Sequence, residues 1–139
     1  MADAIALIGR ILLGAIFVWS GFGKIGSPAD TIQFIAGSGL PMSDAAYLAS
    51  VLIEVGGGVA LLFGWQARAA ATVLALFALV TAATFHAHVA DHATAIQFMK
   101  NLAMAGGLLQ VAAFGAGMFS LDALLDGRRE LHRITRRPA

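Results

Sequence analysis

The fold is decided by residues 69–90, AAATVLALFALVTAATFHAHVA, which contain no Asp, Glu, Lys or Arg. A helix of about 20 apolar residues crosses the roughly 30 Å hydrocarbon core of a bilayer, so this stretch is long enough to span it. Residues 101–121 are also without charge, residues 46–67 carry only Glu54, and residues 4–24 are apolar apart from two charges. The sequence therefore predicts four transmembrane helices.

The composition of the whole chain points the same way. Hydrophobic residues make up 59% of the 139 residues and charged residues only 12%, whereas soluble proteins carry about 25% charged residues. The absence of cysteine excludes disulfides, thiolate catalysis and iron–sulfur ligation. We expect the lipid bilayer to surround the chain, and no nucleic-acid partner.

We predict an all-α polytopic membrane protein, a four-transmembrane-helix bundle. The short connection WQAR at 65–68 makes the second and third spans an antiparallel hairpin. Residues 26–44 contain two prolines and several turn formers, which predict a long, partly interfacial loop. The membrane domain is expected over residues 1–121, followed by a basic tail at 122–139. The predicted spans lie at about 4–24, 46–66, 69–88 and 98–118.

Positive charges fix the predicted orientation. In a four-span arrangement Arg68 and the arginines of the tail fall on one side of the membrane. By the positive-inside rule both termini are then cytoplasmic. The tail serves either as a topology determinant or as a basic helix lying on anionic lipid. The alternative for the first span is a signal peptide, but this stretch of the chain lacks the basic n-region that signal peptides carry.

Ionisable residues at membrane depth cost about 2.5–3.5 kcal/mol on insertion scales, so they usually face the bundle and have partners. Glu54 is expected within a turn of the midplane. Lys24 and His86 are expected about 10 Å or more toward the outer face and lean back toward Glu54. Arg10 is a rival partner for Glu54. Two interpretations of Glu54 and its partner remain open: a structural ion pair, and a site that binds a ligand or handles protons. The predicted polar cluster comprises Arg10, Lys24, Glu54 and His86, with Lys100 and Asn101 near the start of the fourth span.

Three further residues form a weak metal-binding pattern. His88 and His92 are spaced i, i+4, and Asp91 offers an oxygen ligand, a set that zinc can use. No third and fourth ligands follow from the sequence. These residues are therefore predicted to lie at the edge of the membrane, and no metal site is assigned.

Three segments carry a family resemblance. They are GRILLGAIFVWSGFGKI at 9–25, LIEVGGGVALLFGW at 52–65 and QFMKNLAMAGGLL at 97–109. In order and spacing they resemble the DoxX family of small bacterial membrane proteins. The resemblance implies a four-helix inner-membrane protein. By position it singles out Arg10, Lys24, Glu54, His86, Lys100 and Asn101, while His88 and His92 fall outside the pattern.

The resemblance also implies a function in membrane redox metabolism, with a quinone as the ligand and soluble or membrane redox proteins as partners. Nothing in the sequence suggests haem, iron–sulfur or nucleotide binding. Whether the chain is catalytic stays open, since any oxidoreductase activity would take its electrons from a partner. The alternatives are a non-enzymatic scaffold or assembly factor and a small lipid-binding or transport protein. Glycine-rich helix faces are compatible with a homo-oligomer.

Overall fold

The computed structural model describes residues 1–85 and 91–127. It contains no strand in this part of the chain, which confirms the all-α prediction. A short helical segment covers residues 121–127. Five helices precede it: α1 (Ala2–Gly26), α2 (Pro28–Gly37), α3 (Ser43–Phe63), α4 (Ala67–Phe85) and α5 (His92–Phe114).

The four long helices pack as a bundle. The helix α1 lies along α3, α3 packs against α4, α4 lies along α5, and α5 touches α1. The short helix α2 rests mainly on α3. This arrangement brings the two ends of α1 close to different parts of the chain. One end meets the segment that follows α5, and the other meets the middle of α3.

Three helices, α1, α3 and α4, are long and apolar enough to cross a membrane. The helix α5 has 23 residues, and at 1.5 Å per residue it is also long enough to cross. It is less apolar because Gln97, Lys100, Asn101 and Gln110 lie within it. The fourth crossing therefore stays a prediction, while the bundle of four long helices is observed.

In two places the observed helices differ from the predicted layout, for local reasons. The predicted loop at 26–44 contains α2, which begins with Pro28 at its first position, where a missing N–H costs nothing. The fourth long helix was expected over 98–118 but spans His92–Phe114. It starts early because Asp91 caps it, and it ends early because Gly115 has a φ of 87°.

The packing places small side chains inside and large apolar ones outside. The face of α4 that is buried consists of alanines and Leu74, and the core they form also includes Phe17 and Leu61. By contrast, Leu12, Trp19 and many other large apolar residues are exposed. Small residues at helix contacts and bulky apolar residues on the surface are what a lipid-embedded bundle requires.

The helices α1 and α3 approach each other closely at Gly14 and Gly58. A Cβ atom on Gly14 would lie 2.9 Å from the carbonyl oxygen of Gly58, and one on Gly58 would lie 3.0 Å from that of Gly14. Gly14 is a buried residue of α1 together with Arg10, Phe17 and Gly21. Gly58 is a buried residue of α3 together with Ser50, Glu54 and Leu61.

Candidate functional site

Three side chains from α1 and α3 form a closed hydrogen-bonded group, which we call the polar triad: Ser20, Lys24 and Glu54. The ammonium of Lys24 lies 2.5 Å from Oε2 of Glu54 and donates to Oγ of Ser20 at 3.0 Å. The hydroxyl of Ser20 donates to Oε1 of Glu54 at 3.2 Å. Each carboxylate oxygen of Glu54 thus has a donor.

Helix geometry explains why these residues meet. Ser20 and Lys24 are four residues apart on α1 and so share one face. Gly21, between them, has no side chain, and a Cβ atom there would lie 3.3 Å from the Cβ of Glu54. The hydroxyl of Tyr47 donates to the carbonyl of Lys24 at 3.4 Å. The predicted convergence of Lys24 and Glu54 is observed, and Ser20 is a member that the sequence analysis missed despite this spacing.

The polar triad is closed on one side and accessible on the other. The side chain of Glu54 is 6% exposed, whereas that of Lys24 is 23% exposed. An ammonium carries three N–H donors, and Lys24 uses one for Ser20 and one for Glu54. The third donor has no acceptor in the described part of the chain. The arrangement can therefore donate a hydrogen bond to a ligand, beside a carboxylate able to accept a proton.

Arg10 lies at the opposite end of α1 and does not pair with Glu54. Its Nη2 donates to the carbonyl oxygen of Phe119 at 2.8 Å, and it interacts electrostatically with Asp122. The residue is 1% exposed, and its Nε and Nη1 find no hydrogen-bond partner among the described residues. Of the two pairings that the sequence left open for Glu54, the structure shows the one with Lys24.

Asp122 is a polar residue whose role the sequence did not reveal. Its carboxylate accepts from the backbone N–H of Gln66 at 2.7 Å and of Ala67 at 2.9 Å, which caps the start of α4. Its own N–H donates to the carbonyl of Gly64 at 3.0 Å. The segment predicted as a tail from residue 122 onward therefore begins with a residue that packs on the bundle.

The remaining predicted site residues do not join the polar triad. Lys100 is exposed on α5. Asn101 is half-buried and donates to the backbone carbonyl of Gln97 in its own helix at 3.0 Å. His86 and His88 lie outside the described residues. The structure thus divides the predicted cluster into the Lys24–Glu54 pair, Arg10 at the other end, and two separate residues on α5.

Asp91 and His92, two of the three metal candidates, are at the start of α5. The carboxylate of Asp91 accepts from the backbone N–H of Thr94 at 3.0 Å and from its hydroxyl at 2.8 Å, and these bonds lower the pKa of Asp91. His92 is exposed. Across residues 1–85 and 91–127, no three His, Cys, Asp or Glu side chains are grouped as a metal site requires.

An open groove, which we call the α2–α5 groove, lies between α2, the end of α4 and the start of α5. Its volume is about 460 Å³, and its lining includes Phe34, Phe85, Thr94, Gln97 and Lys100. The rings of Phe34 and Phe85 stack with their centroids 5.3 Å apart and their planes 20° apart. The groove therefore combines an aromatic wall with one cationic side chain.

Comparisons with known proteins agree with the resemblance found in the sequence. The DoxX family model matches residues 5–87, more than half of the chain. Inner membrane protein YqjF of Escherichia coli (strain K12) is 39% identical over 126 residues, covering 91% of this chain and 95% of that protein. Inner membrane protein YphA of the same organism is 34% identical over 122 residues, covering 84% and 86%. No solved structure matches the chain.

Proposed function

The chain belongs to the DoxX family of inner-membrane proteins, and from that premise we propose that it is a small membrane subunit that binds a quinone for a redox system. The polar triad is the proposed head-group site. The observation that carries the proposal is the ion pair of Lys24 and Glu54, which joins two apolar helices and leaves the ammonium accessible. Ionisable groups placed at such depth usually mark functional sites.

The chemistry of the polar triad suits a quinone ring. A quinone carbonyl accepts hydrogen bonds, and Lys24 has one N–H left to donate. Reduction of a quinone to a quinol takes up two electrons and two protons, and Glu54 is placed to pass a proton to or from the ring oxygen. The electrons come from a partner redox protein in this proposal, because the chain has no cysteine for iron–sulfur or thiol chemistry.

The orientation of the chain is part of the same proposal. The arginine-rich end of the sequence and Arg68 favour cytoplasmic termini. A quinone at the polar triad would then bind in the outer half of the bilayer. A soluble electron donor from the periplasm, or a membrane partner beside α1 and α3, would reach it most directly.

A second function, that of a scaffold, is favoured by one observation. Both oxygens of Glu54 are already satisfied inside the chain, by Lys24 and Ser20. An internally satisfied pair can serve simply to align α1 with α3. In that case the loss of the charge on Glu54 lowers the free energy of unfolding and affects no ligand.

Mass spectrometry of the organic-soluble material retained after mild detergent purification tests the choice. Wild type is compared with Glu54→Gln and with Asp44→Asn, which makes the same change at an exposed position of the same helix. We expect wild type and Asp44→Asn to retain a quinone and a folded Glu54→Gln to lose it. No quinone in any of the three, with Glu54→Gln less stable, would support the scaffold instead.

A further inference from the structure

The α2–α5 groove is separate from the polar triad and does not depend on the proposed quinone site. We propose that it binds an anionic phospholipid, with the ammonium of Lys100 on the phosphate and the stacked rings of Phe34 and Phe85 against the acyl chain. The argument rests on the position of Lys100, on the charge of the groove and on its aromatic wall.

Lys100 occupies a position where a charge is costly. It is exposed on the third turn of α5, about 12 Å along the helix from His92. The helix packs along α4, which is long and apolar enough to span the membrane. Lys100 makes no hydrogen bond or ion pair with any residue that the structure describes. A lysine facing lipid at this depth needs an anion or a route to the head groups.

The groove supplies that route. Helical side chains lean toward the N-terminus of their helix, so the long stem of Lys100 carries its ammonium along the groove past Gln97 toward Thr94. Both of these residues line the groove. The ammonium is therefore directed toward the N-terminal end of α5, while its methylene groups stay among apolar residues.

Charge complementarity selects an anion as the occupant. Lys100 is the one charged side chain among the described residues that line the groove. The hydroxyl of Thr94 already donates to Asp91, while the side-chain amide of Gln97 can add a donor. A neutral quinone would leave the charge of Lys100 uncompensated, and a zwitterionic head group, whose net charge is zero, would not neutralise it. An anionic head group matches both donors.

The apolar part of the groove favours a lipid over a free anion. Phe34 is 61% exposed although its ring stacks on Phe85, and Ile96 beside them is 45% exposed. An acyl chain laid across these side chains would remove apolar surface from contact with water at the membrane edge. Inorganic phosphate would use Lys100 and Gln97 and leave this apolar wall uncovered.

Native mass spectrometry of protein released from nanodiscs tests the proposal. The nanodiscs contain equal amounts of phosphatidylglycerol and phosphatidylcholine, and the variants are Lys100→Gln, Lys100→Arg and the control Arg68→Gln at the other end of the bundle. We expect wild type, Lys100→Arg and Arg68→Gln to retain one phosphatidylglycerol. Lys100→Gln should retain about tenfold less, as the loss of a charged hydrogen bond predicts. Equal retention of phosphatidylglycerol by Lys100→Gln, or of phosphatidylcholine by wild type, overturns the proposal.

A measurement on the wild-type protein keeps the test valid if Lys100→Gln does not fold. Short-chain phosphatidylglycerol should raise the melting temperature of wild type, and Phe34→Ala should need several-fold more lipid for the same rise. An equal rise from inorganic phosphate, or an unchanged lipid requirement in Phe34→Ala, contradicts an anionic phospholipid site. The quinone retained at the polar triad should be unchanged in Lys100→Gln, so the two proposals fail independently.

Discussion

Lys24 and Arg10 are cations on the same face of α1, yet they are accommodated in different ways. Lys24 neutralises Glu54 at 2.5 Å and keeps 23% of its side chain exposed. Arg10 is 1% exposed and contacts the main-chain carbonyl of Phe119, with two of its nitrogens unpartnered in the described structure. Lys24 keeps one N–H donor without an acceptor among the described residues, on the accessible side of the polar triad. Arg10 is sealed in the structure and holds the segment after α5 against α1.

Side-chain lean in the sequence directs Lys24 toward Glu54, but it does not show what Arg10 contacts. Both cations lie in apolar surroundings at helical spacing with small residues. Their difference arises from the partners, because Lys24 meets a side chain on a facing helix whereas Arg10 meets a backbone carbonyl. A backbone carbonyl exists at every position, so no pattern of residue types marks Phe119 as the partner.

The largest effect is expected at the ion pair. Replacing Lys24 by Met leaves Glu54 buried without a cation, which costs about 3 kcal/mol or more when a buried pair loses one partner. The free energy of unfolding, measured by titration with SDS in mixed micelles, should fall by that amount. A change within error would mean that no ion pair between Lys24 and Glu54 stabilises α1 against α3.

Arg10 should matter less. Arg10→Met removes one hydrogen bond to Phe119 and the attraction to Asp122, but it also removes two buried nitrogens that have no partner. We expect a loss of about 1–2 kcal/mol in the same titration, and no loss of retained quinone. A loss exceeding that of Lys24→Met would reverse the comparison and make Arg10 the more important charge.

A substitution at Gly21 changes the packing around the polar triad without changing any charge. Gly21→Ala would place a Cβ atom 2.6 Å from a methyl group of Val55, and overpacking of this kind costs about 1–3 kcal/mol. Gly23→Ala, two residues along, meets open space and should be neutral or slightly stabilising. Equal free energies of unfolding for Gly21→Ala and Gly23→Ala in the same titration would mean that close contact between α1 and α3 does not position Lys24 against Glu54.

The smallest effect concerns Asp91, outside the polar triad. Hydrogen bonds from Thr94 lower the pKa of this carboxyl, so the folded state favours the carboxylate. The stabilisation is therefore present above the unfolded value, near pH 4, and is lost as the pH falls through the folded pKa. Asp91→Asn keeps the cap without titrating. The difference in the free energy of unfolding between wild type and Asp91→Asn should change only below about pH 4. The same difference at every pH would contradict a stabilising role for the Asp91 carboxylate.

Much of the bundle follows from residue patterns alone, and the exceptions have physical causes. The lean of helical side chains places Lys24 beside Glu54, and the uncharged stretches predict the long helices of the bundle. The helix α2 was not predicted because it is short, begins at a proline, Pro28, and is followed by a glycine-rich turn. Lys100 was grouped with the polar cluster because its depth in the membrane was inferred without knowing which face of α5 it occupies. In the structure it lines the α2–α5 groove instead.

The most direct test of the polar triad as a ligand site is quinone retention by the charge-balanced double variant Lys24→Met/Glu54→Gln. Removing both charges leaves no uncompensated ion in the bundle, so the double variant should be more stable than Lys24→Met. We expect it to fold and to retain no quinone when measured by mass spectrometry beside wild type and Asp44→Asn. A folded double variant that retains as much quinone as wild type would contradict the ligand role and leave the pair as architecture alone.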